Sequence, residues 1–201
     1  MKKNTNLILN TLIILVATLI IAVAPTEKEG AIYNDTVRLH ILANSDSEAD
    51  QSLKIKIRDR ILEKYGKELK MARSKSDAEK AILSLTESIR LDTNEWIREY
   101  GEEYTARVEL GEEWYETREY KDFTLPCGYY TSLRIMLGEA EGQNWWCVMY
   151  PPLCLELATE DAPDDDAIVG YTKEESALIK KGQYNIKFKI LELLSESLGD
   201  L

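Results

Sequence analysis

The 201-residue chain contains a single histidine, His40, and only three cysteines, Cys127, Cys147 and Cys154. One histidine cannot build a zinc cluster with cysteines at this spacing, so we expect no metal and no cofactor. The chain also lacks a G-x-S-x-G motif and a phosphate-binding glycine loop. These absences argue against zinc enzymes, P-loop nucleotide-binding proteins and α/β-hydrolases.

The chain also has fewer positively charged than negatively charged residues. The chain has 25 Lys+Arg against 36 Asp+Glu, a formal net charge of −11. Such a chain is repelled by nucleic acid and by anionic membrane surfaces. We therefore expect no nucleic-acid partner, a neutral or basic protein partner, and membrane contact only through the N-terminal segment.

Residues 7–24 carry no charge at all. They follow a positive start, Met1-Lys2-Lys3, and end on Ala22-Val23-Ala24. A positive start, an apolar middle and a small-residue exit are the parts of a secretory signal. The apolar run is almost long enough to cross a bilayer core, and Pro25 hinders cleavage just after it. We therefore predict that residues 1–24 are a signal peptide or a retained membrane anchor, and that the rest is exported.

The exported part is predicted to be one α+β domain. Its expected parts are a linker at 25–35, a signalling domain at 36–157, an acidic linker at 158–170 and a C-terminal element at 171–201 that packs on the domain. Within the domain, a strand from Thr36 precedes two amphipathic helices, from about Asp46 to Lys70 and from Ser74 to Tyr100. Four strands follow, at 104–110, 114–120, 129–137 and 145–150. Because short turns join most of them, we predict a mostly antiparallel sheet covered by the two long helices, after an N-terminal signal or anchor helix.

His40 and the polar residues after it are the first candidate site. On the predicted strand, Arg38 and His40 share one face. A histidine followed by Asn44-Ser45-Asp46 suggests a general base with an orienting carboxylate. Turn formation and helix capping explain the same polar residues without chemistry, and His40 as a recognition residue is a third interpretation.

The cysteines are the second candidate feature. Cys147 and Cys154 flank Pro151-Pro152, where the chain is expected to reverse. A bridge between them would fix a hydrophobic loop that a partner can recognise, and Cys127 would be left over. Two unpaired, partly buried cysteines are the alternative. A cysteine paired with His40 would make a hydrolase, but free thiolates are uncommon in exported proteins.

Trp145 and Trp146 form an aromatic pair on a predicted strand. Adjacent strand residues point to opposite faces, so one of them can lie in the core while the other is covered by another element or exposed. An exposed tryptophan beside a rigid proline loop would be a plausible interaction hot spot.

Three segments together resemble the stage II sporulation protein R family of endospore-forming bacteria. They run from Val37 to Lys54, from Leu125 to Arg134 and from Asn144 to Cys154. The first and third are long and specific, and the chain after Leu155 carries little of the likeness. Cys127 departs from the family pattern, where alanine is expected before the glycine, and leaves three conceivable disulfide pairings.

The resemblance implies a secreted intercellular signal that is not an enzyme. It implies export from the forespore into the intermembrane space of the septum. There the protein would activate a membrane-embedded aspartic protease of the mother-cell membrane, which processes pro-sigma factor E. The implied partner-binding candidates are Arg38, His40, Asn44, Ser45, Asp46, Asn144, Trp145, Trp146, Pro151 and Pro152, with Cys147 and Cys154 as the candidate disulfide. The alternative function is an exported Cys/His or Asp/His hydrolase of the cell envelope.

Overall fold

The computed structural model describes residues 2–23, 27–120, 123–153, 168, 171–180 and 188–193. Its helices are α1 (Lys2–Val23), α2 (Glu27–Asn34), α3 (Glu48–Lys70), α4 (Lys75–Glu99) and α5 (Lys173–Ile179), and residues 188–193 are also helical. Its strands are β1 (Val37–Leu42), β2 (Ala106–Tyr115), β3 (Arg118–Glu119), β4 (Thr124–Leu125), β5 (Gly128–Leu137) and β6 (Asn144–Tyr150). The protein is therefore α+β, as the sequence predicts.

The two long helices begin at side-chain caps. The Ser47 hydroxyl accepts a hydrogen bond from the Asp50 amide at the start of α3, and the Ser74 hydroxyl accepts one from the Asp77 amide at the start of α4. Each cap satisfies an amide that has no partner within its own helix. After α4, Gly101 adopts a φ of 89°, which ends the helix in a conformation that favours glycine.

The main sheet is mixed, so the prediction of a mostly antiparallel sheet is wrong. Its strand order is β2-β5-β1-β6; β1 runs parallel to β5, and the other two pairings are antiparallel. The short connection between β5 and β6 suggests a hairpin, but β1 lies between them. Because β5 and β6 run in opposite directions, an inserted strand must be parallel to one of them.

One face of the sheet packs against α3 and α4. Alternate residues of β1 and β5 point into this core, where Leu39, Ile41, Leu133 and Ile135 are fully buried. A second, smaller core lies elsewhere in the domain and is formed by Ile32, Phe123, Leu125, Val148, Leu153, Tyr171 and Ile179. Its members come from β6 and from α2, β4 and α5 with their flanking residues, so these elements cover part of the other face.

Two segments have a different secondary structure from the one that the sequence predicts. Residues 27–34, assigned to a linker, form α2, whose Ile32 is buried. The predicted gap between the strands at 104–110 and 114–120 does not occur, because β2 continues through it and pairs Gly111 with Ser132. Most of the predicted acidic linker at 158–170 lies outside the described residues.

The N-terminal residues are helical from Lys2 to Val23 and expose large apolar side chains, among them Ile8, Leu12, Ile14, Leu15 and Ile21. Among the residues whose structure is described, no helix combines the length and the hydropathy needed to cross a membrane. The predicted signal or anchor helix is thus not confirmed as a membrane span.

Candidate functional site

Arg38 occupies the sheet face opposite the long helices, as the alternation of β1 predicts, and it is completely buried. Its Nη2 donates a hydrogen bond to the Tyr120 hydroxyl over 2.8 Å. Its guanidinium lies 3.7 Å from the ring centroid of Tyr115 and 5.0 Å from that of Tyr130. Arg38 is therefore held by aromatic faces rather than by a carboxylate, an arrangement that stabilises a cation away from water.

His40 lies on the same face and is also buried. Its Nδ1 is 2.8 Å from Oε1 of Glu113, and its ring stacks on Trp146 with centroids 5.4 Å apart. Burial alone would raise the pKa of the Glu113 carboxyl. The hydrogen bond and charge of His40, with bonds from Tyr115 and Ser132, instead hold that pKa below its usual range.

Trp146 continues the stack toward the surface. Its ring is half-buried, with the His40 ring on it and the guanidinium of Arg118 lying 3.7 Å from its centroid. Glu113, His40, Trp146 and Arg118 therefore form one continuous column, which we call the His40 column. Glu113 and Arg118 are absent from the candidates that the sequence indicates, because no local pattern marks them. Glu113 reaches His40 from β2, and Arg118 reaches Trp146 from β3.

Unpaired buried polar atoms concentrate beside this column. Of the seven buried side-chain atoms without a hydrogen-bond partner in the described part of the chain, six belong to residues on or next to this face. They are Nε and Nη1 of Arg38, Nε2 of His40, Oε2 of Glu113, Oγ1 of Thr117 and Nε of Arg134. Since buried polar groups are nearly always paired, such a concentration marks a place where water or a partner group can be accommodated.

Asn44, Ser45 and Asp46 have a structural role in the turn after β1. The Asn44 amide and the Ser45 hydroxyl both donate to the Asp50 carboxylate, which also accepts from the Tyr104 hydroxyl. Burial opposes ionisation of Asp50, but these donors hold its pKa below the usual range. The turn interpretation of these residues thus agrees with the structure, but the expectation that they cap the helix is wrong, because the cap of α3 is Ser47.

The same turn holds the loop that joins β5 to β6. The Asn44 side chain accepts from the Glu139 amide, and the Asp46 carboxylate accepts from the Gln143 amide over 2.7 Å. The Gly142 amide donates to the Ala43 carbonyl. This loop must cross the end of β1 because β1 lies between the two strands that it connects. The Asn44 to Asp46 turn therefore fixes the inserted position of β1.

The predicted catalytic pairs do not come together around His40. Its carboxylate partner is Glu113, while Asp46 and Asp50 serve the turn.

Cys147 pairs in register with Leu39, whose side chain points into the helix-side core, whereas His40 points to the other face. Cys127 is a buried free thiol, and burial raises its pKa to about 11. A Cys147–His40 dyad is thus ruled out by the alternation of the strands.

The remaining candidates lie along β6 and just after it. Trp145 packs against the helix-side core with the Arg58 guanidinium 5.0 Å from its ring, so the two tryptophans do occupy opposite faces. Asn144 is exposed, Pro151 is buried and Pro152 is half-buried. Cys154 lies outside the described residues. Within the residues that the structure covers, no group of three His, Cys, Asp or Glu side chains is arranged to hold a metal ion.

Comparison with known proteins places this site in a family. The model of the stage II sporulation protein R family matches residues 33–160, well over half of the chain. The chain belongs to that family. Stage II sporulation protein R of Bacillus subtilis (strain 168) is 36% identical to it over 121 residues, which cover 60% of this chain and 54% of the relative. The match thus spans about half the length of that relative, and no solved structure matches the chain.

Family membership assigns a role in sporulation. The matched region contains every element from β1 to β6, and so includes both the His40 column and the Asn44 to Asp46 turn. The likeness to this family that the sequence motifs indicate is therefore confirmed.

Proposed function

We propose that this protein is a secreted intercellular signal of sporulation that activates a membrane-embedded aspartic protease in the mother-cell membrane. Activation would lead to processing of pro-sigma factor E. Membership of the stage II sporulation protein R family carries the proposal. The structure supports a binding role because its most unusual feature is a column of stacked side chains beside unpaired donors, reaching a half-buried tryptophan.

Export is the second part of the proposal. The positive start and the uncharged stretch 7–24 have the pattern of a secretory signal, and the helix over these residues exposes its large apolar side chains. A cleaved signal and a retained anchor would both leave the domain in the intermembrane space of the septum. In either case the domain acts outside the cytoplasm of the forespore that makes it.

Co-expression in a non-sporulating bacterium tests both parts. The host would produce the protease, the sigma-factor precursor and this protein, and processing would be followed by immunoblot. We expect processing only when all three are present. A variant with Ile14→Arg and Leu15→Arg should abolish it, since each central arginine costs about 2.5–3.5 kcal/mol of membrane insertion. The exchange Ile14→Leu with Leu15→Ile is the matched control, and equal processing with and without the protein would contradict the proposal.

The exported hydrolase is the second candidate, and it has less support. His40 is buried, its carboxylate partner is Glu113, and Cys147 points to the other side of the sheet. A hydrolase needs its base within reach of substrate. Hydrolysis of cell-envelope substrates by the purified protein, lost in His40→Gln with the fold retained, would favour this candidate over the signal.

A further inference from the structure

Arg118 differs from the other surface arginines of the domain. Arg58, Arg60, Arg90 and Arg134 each form an ion pair with a neighbouring carboxylate. Arg73, Arg98 and Arg107 have no such pair, but their side chains are exposed. Arg118 is half-buried, and its guanidinium makes no hydrogen bond or ion pair with any residue that the structure describes.

The position of Arg118 is nevertheless fixed. Its guanidinium lies on the Trp146 ring, the Trp146 ring lies on His40, and His40 is held by Glu113. A guanidinium on an indole face keeps its hydrogen-bond donors in the plane of the group and directed outward. Little side-chain entropy remains to be lost when a partner binds. Arg118 is therefore a preorganised donor group that has no acceptor among the described residues.

Among the described residues, the unpaired buried atoms on or next to this sheet face are four nitrogens and two oxygens. Nε2 of His40 and two nitrogens of Arg38 lie on the same face, are more than nine-tenths buried and have no partner among the described residues. Carboxylates already occupy part of this face: Glu109 and Glu113 bind Arg134 and His40, and Glu192 accepts a hydrogen bond from the Thr117 amide beside Arg118. None of these three carboxylates binds Arg118.

We propose that Arg118, supported by Trp146, binds an acidic side chain of the partner protein. This deepens the proposed function and rests on it, because the partner would be the membrane protease. The net charge of −11 repels nucleic acid and anionic lipid surfaces at a distance. A single aspartate or glutamate on an otherwise neutral or basic protein surface does not suffer that repulsion. The planar fork of arginine fits a carboxylate through two parallel hydrogen bonds.

The test uses the full-length chain in the co-expression assay, with expression varied to find the amount that gives half-maximal processing. We expect Arg118→Ala and Arg118→Glu to raise that amount about 10- to 100-fold, the loss typical of a charge-assisted pair. Arg118→Lys should recover only part of the activity, because an ammonium cannot form the two-bond fork. Arg107→Ala is the matched control and should behave as wild type, because Arg107 on β2 is exposed and forms no ion pair with a described residue.

A charge exchange separates recognition from folding. Arginine replacements of the acidic residues in the outward-facing part of the protease would be screened against Arg118→Glu. Restored processing by one of them would identify the carboxylate, since a misfolded protein cannot be rescued in this way. Wild-type activity of Arg118→Ala would overturn this inference. Loss of activity that no protease replacement restores would also overturn it. Either result would leave the proposed function intact. Failure of the wild-type protein itself would overturn the proposed function.

Discussion

His40 and Glu113 form a hydrogen-bonded pair across two strands that are not neighbours. His40 lies on β1 and Glu113 on β2, with β5 between them, yet Nδ1 and Oε1 are 2.8 Å apart. The two side chains reach each other over the intervening strand β5. The pair therefore ties the edge strand to the centre of the sheet independently of the backbone ladder, and it orients the ring on which Trp146 stacks.

Replacement of Glu113 by glutamine should destabilise the protein in a pH-dependent way. The folded state depresses the pKa of Glu113, so this carboxylate stabilises the fold above the ordinary carboxyl pKa of 4.5 and loses that contribution as the pH falls through the folded value. We expect the free energy of unfolding to fall by about 1–2 kcal/mol at pH 7. Urea unfolding at pH 7 and in the acid range measures the difference, which should shrink as the pH is lowered.

Glu112→Gln is the matched control for that experiment. Glu112 is the neighbouring residue on β2, but its side chain is exposed and points to the other face. Its replacement should change the stability by no more than about 0.5 kcal/mol. An equal effect of both replacements, or a Glu113→Gln deficit that does not change with pH, would contradict the assigned pair.

Gly142→Ala should disrupt the loop that crosses the end of β1. A Cβ atom on Gly142 would lie 2.2 Å from the Ser45 carbonyl oxygen, and because this is a backbone atom the chain itself must move. We expect a loss of about 2–3 kcal/mol of stability, measured by thermal or urea unfolding. A Cβ on Gly111 meets nothing within 4 Å, so Gly111→Ala on β2 is the control and should be near neutral. Similar stability of the two variants would show that the loop does not cross at this distance.

Asp50→Ala should loosen the turn that follows β1. The carboxylate accepts from Asn44, Ser45 and Tyr104, so its removal leaves three side-chain donors without their acceptor. We expect the free energy of unfolding to fall by about 2–3 kcal/mol. Glu63→Ala, an exposed carboxylate on the same helix, provides the comparison. Hydrogen exchange of the Glu139 and Gln143 amides should rise in Asp50→Ala, and unchanged protection there would contradict the coupling of turn and loop.

Local rules account for the parts of this fold that the sequence predicts. Ser47 and Ser74 cap the two long helices, and alternation along β1 correctly puts Arg38 and His40 on one face. The position of β1 between β5 and β6 has no local signal, since it depends on pairing between segments about 100 residues apart. For that reason the sequence does not predict that β1 runs parallel to β5.

In the candidate site, too, only the residues that follow local rules can be predicted from the sequence. Asn44, Ser45 and Asp46 follow turn preferences, and they form the turn after β1, whereas the cap of α3 is Ser47. Glu113 and Arg118, by contrast, reach the site from β2 and β3, whose positions relative to β1 are not visible in sequence. A single chain read residue by residue gives no reason to connect either one with His40.

The cysteines provide a prediction that bears on export. Cys127 is a buried free thiol, which leaves Cys147 and Cys154 as the pair that can form the predicted bridge. We expect protein recovered from an oxidising compartment to show one thiol when unfolded without reductant and three after reduction, counted by alkylation and mass spectrometry. In the native state Cys127 should react slowly, because burial raises its pKa to about 11 and leaves little thiolate at neutral pH. Cys127→Ser should then contain no free thiol, whereas three thiols in unreduced wild-type protein would exclude the bridge.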